Sequence, residues 1–194
     1  MSRILIIQGH PDTQQRHFCH ALADAYAEGA REGGHEVARI DVAQADIPFL
    51  RSRAQWEGAD APAFVGEAQE RLAQADHLVL VYPLWLGTMP ALLKAWLEHV
   101  LRPGFAFDVM THGLSWNARL GGLSARLIVT MGMPVFVYRL FYLSHSLRTF
   151  QRNILRFVGV SPVRTSLIGR VDARGGRERE RWLARIRAMG ERAR

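Results

Sequence analysis

The chain has one cysteine, Cys19, and one lysine, Lys94. A single thiol excludes an internal disulfide framework and fits a reducing compartment. With lysine nearly missing, arginine carries the positive charge, and the formal net charge is +7. Most of the excess lies in residues 164–194. No basic stripe runs through the rest of the chain, so no nucleic-acid partner is expected. The arginine-rich end reads as a solvated, salt-bridged helix; a surface that attracts anionic cofactors or membranes is the sharper reading. No apolar run can span a bilayer, because the longest stretches, 78–86 and 127–143, are broken by Pro, Gly, Tyr or Arg. The N-terminus, MSRILIIQGH, turns polar too early for a signal peptide. A cytoplasmic protein without membrane insertion is expected. Internal repeats and low-complexity segments are missing, as are G-x-G-x-x-G and the P-loop lysine. A dinucleotide bound in the Rossmann manner is therefore disfavoured.

What is present is an alternation of short apolar runs and amphipathic stretches, expected to form a single domain over 1–194. Arg3 to Gln8 reads as a buried strand, followed by a helix from about His17 with Phe18, Leu22, Tyr26 and Ala30 on one face. Gly33-Gly34 ends that helix, and a second strand spans His35 to Val42. The stretch 43–62 reads as irregular. Pro62 opens a helix with Phe64, Ala68 and Leu72 inward. The strand His77 to Tyr82 then runs through an aromatic loop, 83–89, into a Pro90-started helix that Thr88 is expected to cap, with Leu93, Trp96, Leu97 and Val100 inward. Residues 102–124 read as one long loop, a length that is usually functional or mobile. A fourth strand covers Ala125 to Thr130. An aromatic segment follows, then a helix with Leu147, Phe150, Ile154 and Phe157 on one face. A fifth strand (Val163 to Val171) and a helix with Trp182, Leu183, Ile186 and Met189 inward complete the chain. Parallel strands need crossover helices, so this is an α/β chain: a doubly wound five-stranded parallel sheet, order 2-1-3-4-5, with helices on both faces.

In that order the switch point falls between strands one and three, where open sheets bind ligands. The loops 9–16, 83–89 and 131–137 converge there. The first leads into a helix N-terminus suited to a phosphate, with His10, Gln15, Arg16 and His17 as added donors. The second offers Trp85 as a flat surface. The third places Gly132 where backbone can approach a ring closely, and Tyr138 and His145 follow it. His10-Pro11-Asp12 resembles the His-Pro-Asp-Asp start of zinc-dependent de-N-acetylases, but Thr13 stands at the second Asp. The remaining histidines, His112 among them, do not complete a ligand set, so no metal is expected.

The segment 82–107, YPLWLGTMPALLKAWLEHVLRPGFAF, resembles the signature of the flavodoxin-like NAD(P)H:quinone oxidoreductases. GHPD…HFCHAL at 9–22 resembles their phosphate loop, and VTMGMP at 129–134 their Thr-Thr-Gly-Gly flavin loop. The resemblance covers most of the chain. It implies a flavodoxin-like fold, a bound flavin (FMN or FAD), and two-electron transfer from NAD(P)H to a quinone-like acceptor. It also implies a homodimer. Carried over by position, His10, His17 and Phe18 match the phosphate loop. Pro83, Leu84, Trp85 and Leu86 match the segment along the isoalloxazine, and Thr130, Met131, Gly132 and Met133 the loop at its pyrimidine edge. Tyr138, with His145 one residue off the family position, matches the pair that stabilises charge on the reduced flavin. Here His17 replaces a usual Ser, Gln14-Gln15-Arg16 looks inserted, and Met131 and Met133 replace small or polar residues. A regulatory or ancillary flavin-binding subunit, with incidental turnover, is the alternative function.

Overall fold

A computed structural model describes residues 1–58, 60–109, 116–173 and 175–193. Its sheet holds five parallel strands: β1 (Arg3–Gln8), β2 (Glu36–Asp41), β3 (His77–Pro83), β6 (Ser124–Thr130) and β7 (Val163–Ile168). Their order is β2-β1-β3-β6-β7, the expected 2-1-3-4-5. β3 is central and buried throughout, as a strand covered on both faces must be. Its register with β1 (Ile4 beside His77) and with β6 (His77 beside Ser124) brings the ends of three strands level.

Helices cover both faces. On one, α1 (Phe18–Glu32) packs against α7 (Gly176–Gly190) over Ile4, Ile6, Val79, Val81 and Ile128. On the other, α3 (Ala63–Gln74) and α4 (Ala91–Val100) pack over Leu5, Ile7, Leu78, Leu80 and Leu127. The alternation of the strands thus feeds two apolar cores. Leu22, Tyr26 and Ala30 of α1 lie inward as the four-residue spacing requires, and Trp96 of α4 is fully buried.

Several local expectations are corrected. The stretch 43–62 carries the short helix α2 (Arg53–Glu57), capped by Ser52 Oγ, which accepts the Gln55 N–H at 3.2 Å. The loop 102–124 carries an antiparallel pair, β4 (Phe107–Val109) and β5 (Trp116–Ala118). Three-residue strands are too short to show a period. Residues 110–115, with His112, lie outside the described residues. Pro90, not Thr88, is the N-cap of α4. Thr88 instead closes a tight turn with Trp85, exchanging backbone bonds of 2.8 and 3.0 Å. The aromatic segment forms α5 (Val135–Leu140), and the following helix is α6 (His145–Thr149) running into π-helical turns at Phe150–Leu155. β7 stops at Ile168 because Arg170 takes a left-handed φ of 55°. None of the described helices is long and apolar enough to cross a membrane.

Candidate functional site

At the C-terminal ends of β1, β3 and β6 the three loops meet around a cleft of ≈ 480 Å³. His10, His17, Phe18, Pro83, Leu84, Trp85, Thr130, Met131 and Gly132 of the expected set line it. Backbone bonds fix the rims. Gly9 N–H donates to Val81 O at 2.8 Å, Leu84 N–H to Thr130 O at 2.7 Å, and Met131 N–H to Ile168 O at 2.9 Å. Cys19 Sγ lies 3.1 Å from Thr130 Oγ1, tying α1 to the tip of β6.

The phosphate-loop end is built from histidines. The His10 and His17 rings stack with centroids 3.9 Å apart. Asp12 holds His17 through Nε2 at 2.6 Å, and its own N–H donates to His10 Nδ1 at 3.2 Å. That contact fixes His10 Nδ1 as an acceptor and leaves Nε2 as the ring's donor. Burial first, then the neighbouring imidazoles of His17 and His20, lower the His10 pKa to about 4. The hydrogen bond from His17 lowers Asp12 to about 2. His17 is also the N-cap of α1, where His20 Nδ1 accepts its N–H at 3.1 Å. The N–H groups of Phe18 and Cys19 open a fifteen-residue helix and have no acceptor one turn earlier. Donors and dipole together favour an anion there.

The wall is aromatic. Trp85 is 48% exposed and meets the edge of His10 at 5.6 Å. It starts a turn in which both Leu86 (φ 44°) and Gly87 (φ 81°) are left-handed. Left-handed φ at both central positions is a tight hairpin geometry that glycine accepts and leucine resists. At the far rim the N–H groups of Gly132 and Met133 make no hydrogen bond among the described residues, whereas the Met131 N–H is already used. Gly132 is exposed, so its backbone is open to a ring edge.

Four expected residues stand apart. Leu86 projects fully into solvent and lines a neighbouring apolar hollow with Met89 and Phe150. Met133 is half-buried against the core and is not on the cleft wall. The Tyr138 hydroxyl is buried, 2.9 Å from Ser146 Oγ, and accepts the Leu147 N–H at 3.1 Å. His145 is exposed and is not on the cleft wall. Tyr138 is thus joined to Ser146 rather than to His145. Sequence reasoning missed Arg179 of α7, which reaches the cleft, lies 5.5 Å over the Phe18 ring, and donates to Val171 O at 3.1 Å. Its only sequence signal was its place in an arginine-rich helix. Asp12 and Asp172 also face the cleft. Among the described residues no group of three acids, histidines or cysteines can hold a metal ion.

The profile of the family described as "Flavodoxin-like fold" matches residues 2–191. An uncharacterized NAD(P)H oxidoreductase of Haemophilus influenzae is 29% identical over 172 residues, 85% of this chain and 82% of that one. An FMN-dependent NADH:quinone oxidoreductase of Alkalilimnicola ehrlichii is 31% identical over 145 residues, 70% of this chain and 69% of that one. The solved NAD(P)H:quinone oxidoreductase of Methanothermobacter marburgensis superposes with a TM-score of 0.84 at 25% identity, covering 100% of this chain and 99% of that one. Sheet order and sequence agree with these likenesses, and the chain belongs to the flavodoxin-like NAD(P)H:quinone oxidoreductase family.

Proposed function

We propose that the chain is a flavin-dependent oxidoreductase that takes hydride from NAD(P)H and delivers it to a quinone or similar acceptor. The observation that carries this reading is the cleft itself: an anion-binding helix start, a half-exposed Trp85 and a backbone rim at Gly132 surround one space. The residues fit a flavin mononucleotide unit, with its phosphate at Phe18 and Cys19 and its ring along Pro83 to Trp85. When bound, the flavin supplies the two-electron centre that accepts and passes on hydride. The chain's part is to hold and orient it. His10 donates from Nε2, His17 stays aligned by Asp12, and the Gly132 N–H faces the ring's polar edge. Tyr138, on α5, would act through Ser146 and the start of α6, as a positioning residue, with His145 next to Ser146 on α6. Names of relatives add FMN and quinones. A visible spectrum of the purified protein, with mass identification of the released cofactor, tests the reading. A colourless protein that takes up neither FMN nor FAD would overturn it.

The reading extends to a single domain over 1–194, to the cytoplasm, which suits the free, buried Cys19, and to a homodimer. Phe136, Leu140, Phe141, Tyr142 and Leu143, on α5 and the turn after it, are a run of exposed large apolar side chains, a cost in water that a second copy removes. Light scattering should give a dimer, and Phe141→Arg a monomer; a monomeric wild-type protein removes this part.

A further inference from the structure

Between Asp108 and Asp172 the chain has no aspartate or glutamate and eight arginines. This corrects the expectation that no basic stripe lies ahead of residue 164. Three of the eight, Arg148, Arg152 and Arg156, recur every four residues along α6 and the π-helical turns that continue it, and all three are exposed. The same helix turns Leu147, Phe150 and Leu155 into the core. Its outer side is therefore a row of positive charge. On α2, α3 and α4 the four-residue spacing joins opposite charges: Arg53 with Glu57, Glu67 with Arg71, Lys94 with Glu98. Here it sets arginine beside arginine, which repels along the helix. Among the described residues none of the three reaches a carboxylate. α7 is richer in arginine, yet Glu178 and Glu180 interleave there, Arg187 pairs with Glu32, and Arg185 lies over Trp182.

A self-repelling row without acids favours a polyanion as its neighbour. We propose that this face docks the protein on an anionic phospholipid bilayer, by charge and without insertion. Basic clusters on a helix bind acidic headgroups in this way, within about a Debye length of the surface. The apolar run at 136–143 is left to the second copy, and a homodimer then carries two such rows. The choice of a bilayer over another polyanion rests on the acceptor reading above, because an apolar quinone concentrates in lipid. Thr149, Phe150 and Ile154 of the same helix line an apolar hollow of ≈ 580 Å³ that meets the cleft at Trp85. Docking by the arginine row holds the wall of that hollow close to the bilayer.

The test is sedimentation of the purified protein with vesicles of phosphatidylglycerol and phosphatidylcholine in equal parts, against vesicles of phosphatidylcholine alone. The protein should bind the first, come off as salt is raised, and ignore the second. Arg148→Glu combined with Arg152→Glu should weaken binding roughly tenfold or more, with the circular dichroism of wild type. Arg177→Glu combined with Arg181→Glu, on α7, makes the same change in net charge and should leave binding within about twofold of wild type. No binding to the anionic vesicles, an equal loss in the α7 variant, or a DNA duplex that strips the protein from the vesicles overturns the proposal. Flavin uptake without vesicle binding leaves the flavin reading standing and removes this one. Vesicle binding by a protein that takes up no flavin overturns the proposed function and leaves the docking face in place.

Discussion

Trp85 is held by backbone rather than by packing: its turn closes on Thr88, and Leu86 pays in left-handed geometry for presenting it. Trp85→Ala should therefore leave the fold intact and weaken FMN binding by roughly 1–3 kcal/mol, the scale of burying a large side chain. Fluorescence titration reads this, and an unchanged affinity would place the ring elsewhere. Tyr138 offers the opposite case. Its hydroxyl is a buried junction for Ser146 and the Leu147 N–H. Tyr138→Phe should lower unfolding stability by about 1–3 kcal/mol, since the Leu147 donor is left without its acceptor. If Tyr138 also positions α6 for the reduced flavin, flavin reduction slows while NAD(P)H affinity holds. A stability loss with unchanged reduction would confine it to packing. Burial raises the Cys19 thiol to about 12, against the weaker pull of its Thr130 contact. A neutral, buried thiol is a poor nucleophile. Native protein should resist a thiol-specific reagent and react only on unfolding.

At the scale of elements, α1 and α7 approach so closely that glycine is required. A Cβ at Gly29 would overlap the Arg187 carbonyl, and one at Gly190 the Tyr26 carbonyl. Gly29→Ala should destabilise by about 1–3 kcal/mol as the helices part, despite alanine's better helix propensity. A denaturation midpoint at or above wild type would show that the contact yields freely. Neither glycine can be read this way from sequence, because the clash lies between segments far apart in the chain. The strand order was legible for the converse reason: each strand is a buried run, and each crossover carries a helix with an apolar face. The convergence of the three loops follows from that order alone. Which side chains turn toward the cleft does not. His10 on His17, Arg179 arriving from α7, and Tyr138 turning to Ser146 are products of tertiary geometry. The β4–β5 pair and the Ser52-capped helix were missed because neither is long enough to show a period.

At the scale of the whole molecule, two of the three buried histidines among the described residues sit at opposite ends of the sheet. His10 stands at the cleft, at the C-terminal ends of the strands, and His77 begins β3 at the other end. His77 is buried beside Tyr26 and bonded through Nδ1 to Ser124 Oγ at 2.7 Å. Its Nε2 has no partner among the described residues. Desolvation first, then Arg126, Arg164 and His35, lower its pKa to about 4. An unfolded histidine titrates near about 6.5. As pH falls below that value the unfolded chain takes up protons that the folded chain refuses, so stability declines down to about pH 4. Asp12 titrates below this window, at about 2, and does not account for the loss. Each histidine contributes at most about 1.4 kcal/mol per unit of its depression. Denaturant unfolding of the flavin-free protein between about pH 7 and pH 4.5 should follow this slope, and His77→Gln should flatten it. Bound FMN acts only on the other half. A phosphate at the start of α1 favours the charged form of His10 and raises its pKa, while His77 lies at the far end of the sheet. FMN should therefore flatten the acid slope of wild type, and flatten that of His77→Gln further still. An acid slope that FMN leaves unchanged would separate His10 from the phosphate and place the anion elsewhere in the cleft.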